Sequence, residues 1–389
     1  KHTAQIFPIA LSMLKENLAD TFLVPSKSAA FLEKIPNIKV YGADTLTEAF
    51  EILTSGDTQY KCGTQNINGE SITLDGFEFF YIREFEYDFS DVKGQNIAKR
   101  AALIAAAGMH NILMEGSPGC GKSMIAKRLR YILPPMSVDE ILKFAMLDFL
   151  EGKESDFSAK RPFRSPHNNS TRSALLGGGS KEGQIGEVAL SSGGILWLDE
   201  LPHFDKTLIE GLREPLENYR ILISRVNSKI DYDADFMFVG SMNPCPCGNL
   251  LSKTKECRCK ESEIQRYKNR LSEPFLDRMD IFVQMEEFSE AGKSDITSNE
   301  MFDNVIKAFS AQMKRGGKLN SRLSDKELAG LEITDEATDM LQKAGARFAM
   351  SARSSAKTLK VARTIADLED SIKVEKPHIL EALSYRKRG

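Results

Sequence analysis

The stretch Gly116-Ser117-Pro118-Gly119-Cys120-Gly121-Lys122-Ser123 matches the phosphate-loop pattern G-x-x-x-x-G-K-[ST] at every fixed position. The chemistry of such a loop is anion binding. Its glycines let the backbone turn N–H groups inward toward phosphate oxygens, and the start of the next helix adds a partial positive charge. Lys122 is placed to hold the β- and γ-phosphates and Ser123 to coordinate Mg²⁺, with Met124 following in the first helical turn. The pattern implies a nucleoside triphosphate, ATP or GTP, bound with Mg²⁺.

Two further apolar runs end in groups that such a site needs. Ile195-Leu196-Trp197-Leu198 leads directly into Asp199-Glu200. A fully buried parallel strand reads this way, with its carboxylates emerging at the C-terminal end where ligands sit in open α/β sheets. Asp199 is then expected to hold Mg²⁺ through water, and Glu200 to polarise the attacking water. Taken alone, two acids at a strand end are an exposed pair; beside the phosphate loop they become a catalytic pair. Phe236 to Met242 is a third buried strand, ending at Asn243, whose amide can orient the same water. An asparagine before Pro244 also suits a simple turn.

Cys245-Pro246-Cys247 and Cys257-Arg258-Cys259 form two C-x-C pairs separated by nine residues. Four thiolates fit a tetrahedral Zn²⁺ site, although C-x-C is tighter than the usual C-x₂-C, and free or oxidised thiols are the alternative. Zinc here would close the loop after Asn243 and fix the strand end. Its loss is expected to lower turnover indirectly while leaving the phosphate loop intact.

These groups must be positioned by an α/β core. His110 to Met114 reads as the strand entering the phosphate loop, and Ile125, Leu129 and Ile132 mark the helix leaving it. An alanine-rich helix over 98–107 precedes them. Residues 220–231 alternate as a β-hairpin, with Ile221, Ile223 and Arg225 on one face and a turn at Asn227-Ser228-Lys229. Arg225 and Lys229 near its tip suit a charged partner, and a solvated hairpin fits equally well. From about 289 onward the spacing predicts helices over 296–314, 324–331, 335–348, 353–368 and 376–385. Thr334 and Ser351 serve as caps, and Pro377 sits in a first turn. Leu359, Ala362, Ile365, Ala366 and Leu368 form a core stripe. Residues 1–53 read as a small α/β unit and 54–90 as a connector with a strand near 77–82.

The 389 residues are 41% hydrophobic and 28% charged, the composition of an ordinary globular protein of two or three domains. The net charge of −3 supplies no global basic field, so any nucleic-acid contact must be local. No apolar run reaches the roughly 20 residues that span a bilayer. Clustered cysteines argue for metal over disulfides, and a reducing cytoplasm is the expected setting.

On these residues the stretch from about 91 to 389 resembles the AAA+ ATPases of the magnesium-chelatase-like group, specifically the ComM/YifB family. The matching text is GSPGCGKS, RPFRSPH, LLGGGS, GEVALSSGGILWLDELPHFD, LREPLE, NPCPCG, CRC, RYKNRLSEPFLDRMDI and SARSSAKTLKVARTIADLED. Residues 1–53 resemble part of the Lon-protease-like domain of that family. The resemblance implies four parts: a partial Lon-like domain (1–53), a connector (54–90), an AAA+ core with parallel sheet and flanking helices (91–288) and a helical lid (289–389). It implies that Arg278 is an arginine finger acting on a neighbouring subunit's ATP and that Arg353 is the sensor-2 arginine of the lid. It also implies that the segment around Gly183 to Gly194 and the hairpin line a central pore. A homo-oligomer, a hexamer by family habit, and DNA as the substrate of a helicase or branch-migration motor are expected. A chelatase-type protein-remodelling ATPase and an ATP-dependent protease are the rivals. Two positions depart from the family text, Asn168 after His167 and Glu273, and they leave the role of the RPFRSPH loop open.

Overall fold

Five parallel strands carry the phosphate loop. In a computed structural model of the chain they lie in the order Ile281–Met285, Ile112–Gly116, Met237–Met242, Ile195–Leu198, Phe163–Arg164. The structure describes residues 6–33, 35, 38–55, 61–62, 67–153, 157–178, 185–224, 229–287 and 296–386. The order puts Met237–Met242 between the strand that feeds the phosphate loop and the strand that ends at Asp199. Met242 lies beside Glu115 on one side and Gly240 beside Leu198 on the other. All three C-terminal ends therefore open at one edge, as the apolar runs predict. The two-residue strand Phe163–Arg164 carries no distinct signature in the sequence, while the outer strand Ile281–Met285 is an apolar run that the sequence expectation leaves out.

The sheet is buried because its residues leave it no wet face. Leu196, Leu198, Phe236 and Phe238 pack with Leu201, Phe204, Leu208 and Phe275, and the Phe238 and Phe275 rings meet edge to face at 5.7 Å. On the alanine-rich helix Asn96–Gly108, small side chains let neighbouring helices approach closely. The fully enclosed Gln312 of helix Ser298–Gly316 donates to the Ala107 carbonyl at 2.9 Å. The lid helices Ser298–Gly316, Asp335–Arg347, Ala352–Leu368 and Lys376–Ser384 fall within one to two residues of the sequence expectation. Thr334 and Ser351 accept the N–H groups of Ala337 and Ser354, so the caps set those starts. Along Ala352–Leu368 the stripe from Leu359 to Ala366 is buried, while Leu368 is half-buried.

The chain divides into two compact units, one of residues 83–134 and 161–389 and the other of residues 1–82 and 135–160. Core and lid thus share a unit. Residues 135–160, which the sequence reading includes in 91–288, pack with the N-terminal segment. There Met136–Ser137 pairs with Phe79–Phe80 of the hairpin Glu70–Leu74/Phe77–Tyr81, whose turn Asp75-Gly76 has both φ angles positive. Helix Val138–Leu150 buries Ile141, Leu142 and Ala145 in one cluster with Phe7, Leu11, Leu32 and Val40. Strands Thr21–Pro25 and Lys39–Ala43 run parallel in this unit. Helix Leu46–Ser55 starts where Thr45 and Glu48 cap each other. Among the described residues no helix is long and apolar enough to cross a membrane.

Candidate nucleotide site and cysteine cluster

The phosphate loop takes its shape from two glycines in the left-handed region, Gly119 at φ +81° and Gly121 at φ +100°. A side chain on Gly116 would lie 2.7 Å from the Cys120 sulfur, so the loop is closed on itself at that point. Lys122 is 9% exposed, and its ammonium lies 2.5 Å from the Gly116 carbonyl, 3.1 Å from that of Ser117 and 3.1 Å from Asn243 Oδ1. Burial lowers its pKa, which Asp199 and Glu200 partly oppose. A buried cation of this kind favours an anionic ligand. Ser117 Oγ is enclosed as well and has no hydrogen-bond partner among the described residues. These donors fit a phosphate chain.

Ser123 Oγ donates to Asp199 Oδ2 at 3.0 Å, which places a hydroxyl and a carboxylate together as an oxygen pair for Mg²⁺. The other carboxylate oxygen of Asp199 accepts from Ser241 Oγ and from the Glu200 N–H. Ser241 is fully buried and also accepts the Glu200 N–H at 3.1 Å. Sequence reasoning passed over this serine. Its signal is a hydroxyl within an otherwise apolar strand, one residue before the sheet edge. Glu200 itself is exposed and left-handed, at φ +52° and ψ +46°, a strained backbone for a residue with a side chain. Strand 195–198 thus ends abruptly, and the two acids are turned to different positions.

The structure brings together Lys122, Ser123, Asp199, Glu200 and Asn243, and it puts the two arginines elsewhere. Arg278 Nη2 and Arg353 Nη2 both bond the Glu217 carboxylate, Arg353 at 2.8 Å. Neither has a described contact with the phosphate loop. Asn111 Nδ2 holds the Arg278 carbonyl at 3.1 Å, and Lys357 of the lid bonds the carbonyls of Asp277 and Met279. Lys357 also pairs with Asp280 at 3.3 Å. Burial works to raise the Asp280 pKa, but the charge of Lys357 and the Asn111 N–H that the carboxylate accepts at 2.9 Å outweigh it, so the carboxyl is held below its ordinary value. The two arginines line a cleft of about 870 Å³ between core residues that include Leu216, Tyr219 and Asp280 and the lid helices.

The four cysteine sulfurs all lie within 4.8 Å of one another, with Cys245 3.4 Å from Cys247 and 3.6 Å from Cys257, and Cys247 3.7 Å from Cys257. These separations are far from a disulfide bond. Tetrahedral zinc with bonds of about 2.3 Å sets sulfurs about 3.8 Å apart, so the spacing suits that ion and the C-x-C tightness is no obstacle. Backbone N–H groups of Asn249 and Arg258 lower the Cys247 thiol to about 6, while the neighbouring thiols push Cys257 and Cys259 up, so without an ion the four do not ionise together. Cys259 completes the set. The cluster does not stand apart from the phosphate loop. A side chain on Gly248 would come within 2.5 Å of Pro118 Cδ, so the cysteine loop rests directly on the phosphate loop. The expectation that metal loss would leave that loop intact thus concerns two segments in contact.

Residues 220–224 and 229–233 form the expected antiparallel hairpin, with Ile221 and Ile223 buried and Leu222 exposed. Lys229 opens the second strand; Arg225 and the tip lie outside the described residues. Of the segment 183–194, helix Glu187–Leu190 is described, and residues 183–184 lie outside. In the RPFRSPH stretch, Arg161 is buried and donates to the Pro134 and Gly193 carbonyls, which ties this loop to the turn before strand 195–198.

Comparison with known proteins places this site in a family. The model of magnesium chelatase subunit ChlI matches residues 88–292, and that of its C-terminal part matches residues 295–386. Competence protein ComM of Haemophilus influenzae is 36% identical over 372 residues, covering 94% of this chain and 71% of that protein. The YifB protein of Escherichia coli is 39% identical over 315 residues, 78% of this chain and 61% of its own length. The 67 kDa magnesium-chelatase subunit of Chlorobaculum parvum is 24% identical over 167 residues, 40% of this chain and 23% of that one. The chain thus spans about three fifths to seven tenths of the first two relatives. It belongs to the ComM/YifB family of magnesium-chelatase-like AAA+ ATPases.

Proposed function

We propose that the chain is an ATP-driven ring motor of the ComM type that acts on DNA, as a helicase or branch-migration factor in recombination and natural transformation. The observation that carries the ring is the division of charge. The phosphate and Mg²⁺ ligands form one cluster without an arginine, and both arginines are held together on Glu217. Each nucleotide is then completed by the next subunit, in a homo-oligomer that is a hexamer by family habit. DNA as substrate is supported by the likeness to a competence protein and by the hairpin over 220–224 and 229–233, whose second strand opens on Lys229.

In this reading Gly116 to Met124 wrap the phosphates of ATP, and Lys122 leaves the loop carbonyls to bond the β- and γ-oxygens. Ser123 and Asp199 would hold Mg²⁺, which would supply charge neutralisation at the phosphates. Glu200 takes a proton from the water that attacks the γ-phosphorus, while Asn243 orients that water and the bond to the β-phosphate oxygen breaks. Arg278 and Arg353 enter from the neighbour and stabilise charge on the transferring group. A chelatase-type remodelling motor is the second reading, favoured by the family match over 88–386. A branched-DNA unwinding assay decides. ATP-dependent strand separation that Glu200→Gln abolishes supports the DNA motor, and ATPase activity with no effect on forked or four-way DNA rejects it.

The four cysteines hold structural zinc in the same reading. Its binding free energy contributes to folding of the loop, because the ligands are not gathered without it. Stripping the metal, or Cys257→Ser, is expected to weaken ATP binding as well as turnover, since Gly248 braces Pro118. Elemental analysis of protein purified without added metal should give about one zinc per chain. A zinc content near zero with four reactive thiols, or chelation that leaves ATP affinity unchanged, contradicts this prediction.

A further inference from the structure

Glu217 has no role in the chemistry above, yet among the described residues it is the group that joins the two arginines. It lies in the short helix Pro215–Asn218, which is fixed at both ends. Proline sits in its first turn, and Tyr219 closes it at φ +57° with its N–H on the Pro215 carbonyl at 2.9 Å. Leu216 anchors the same helix in the core. From this fixed backbone one carboxylate oxygen takes Arg278 Nη2 and the other takes Arg353 Nη2. The first arginine belongs to the core, 11% exposed, and the second to the start of the lid helix, 42% exposed. Arg278 Nη1 is further tied to the Pro274 carbonyl at 2.5 Å, while its Nε is enclosed with no partner among the described residues.

We infer that Glu217 is a positioning residue that holds Arg278 and Arg353 as a pair for the neighbouring subunit's nucleotide. The inference rests on the shared-site reading under Proposed function. Two guanidinium groups in one cleft repel each other, and a single carboxylate between them removes that repulsion while leaving one net positive charge for phosphate. It uses one nitrogen of each arginine, so further N–H donors of both remain for an anion. Because it spans core and lid, Glu217 also fixes the lid arginine relative to the core arginine. Burial works to raise the Glu217 pKa; Arg278 and Arg353 outweigh it, and the group stays ionised.

The test uses the assembled protein, with ATP as the probe. Glu217→Gln keeps the size of the side chain and removes its charge. Its kcat should fall about tenfold or more, with KM for ATP within about twofold, because the phosphate loop of the same subunit is untouched. Mixing Glu217→Gln subunits with Lys122→Ala subunits should restore turnover, as it should for Arg278→Ala subunits. The triple variant Glu217→Gln/Arg278→Ala/Arg353→Ala should be no slower than the Arg278→Ala/Arg353→Ala double variant, since no arginine is then left to position, which separates positioning from general damage and holds even if the single variant is less stable. Turnover within twofold of the parent, or a loss confined to KM, overturns the inference. So does restoration by mixing for Arg278→Ala but not for Glu217→Gln. If neither variant is restored, the shared-site reading falls and takes this inference with it.

Discussion

Glu200→Gln protein is expected to bind ATP as the parent does and to turn it over about 10²–10⁴-fold more slowly, the range for loss of a general base. The backbone around Glu200 is held by its own N–H, which bonds Asp199 Oδ1 and Ser241 Oγ, and glutamine keeps both bonds. The Mg²⁺ pair of Ser123 and Asp199 is likewise untouched, so the loss should fall on kcat. Lys122→Ala provides the contrast. It removes the buried ammonium that faces Asn243 and should lose nucleotide affinity itself. Equilibrium binding of a fluorescent ATP analogue, measured beside phosphate release, separates the two. Hydrolysis near the parent rate in Glu200→Gln would move the base to another residue.

Arg278→Ala carries the second large effect. An arginine finger contributes about 10³–10⁵ in kcat where its role is known, and a loss of that order is expected here with ATP affinity retained. Removing Arg278 leaves Glu217 with Arg353 alone and frees the Pro274 carbonyl, both away from the phosphate loop. Turnover per subunit in the parent should rise with protein concentration as rings assemble, while the variant stays flat across the same range. Weakened ATP binding with kcat preserved would place Arg278 in the binding of its own subunit's nucleotide.

The sequence made the contiguous parts of this site legible and hid the rest. The phosphate loop, the acid pair and Asn243 each sit at the end of an apolar run, so local pattern identified the strand and the group together. Ser241 differs. Its hydroxyl matters because two neighbouring strands bring Asp199 beside it, and strand order is not written in any one stretch. The left-handed turn at Glu200 is hidden for a related reason, since packing holds a conformation that local preference disfavours. Glu217 was visible within LREPLE, but its meaning depends on residues 61 and 136 positions away. The metal expectation was legible in the cysteine spacing, while the contact of Gly248 with Pro118 was not. The two-residue strand Phe163–Arg164 was too short to stand out, whereas the apolar run Ile281–Met285 ends in no chemical group that drew notice to it. Likewise, helix Val138–Leu150 gives no hint in its own residues that it packs with Phe7 and Leu11.

The central claim is that one subunit supplies the phosphate loop and the next supplies the arginines. Its most direct test is ATP turnover in mixtures of Lys122→Ala and Arg278→Ala subunits, each inactive by itself. Some interfaces in a mixed ring pair the intact loop of an Arg278→Ala subunit with the intact arginine of a Lys122→Ala neighbour. Turnover well above either separate variant, with a maximum at intermediate ratios, is the predicted result. A mixture that stays at the level of its components, in rings shown to exchange subunits, would contradict it.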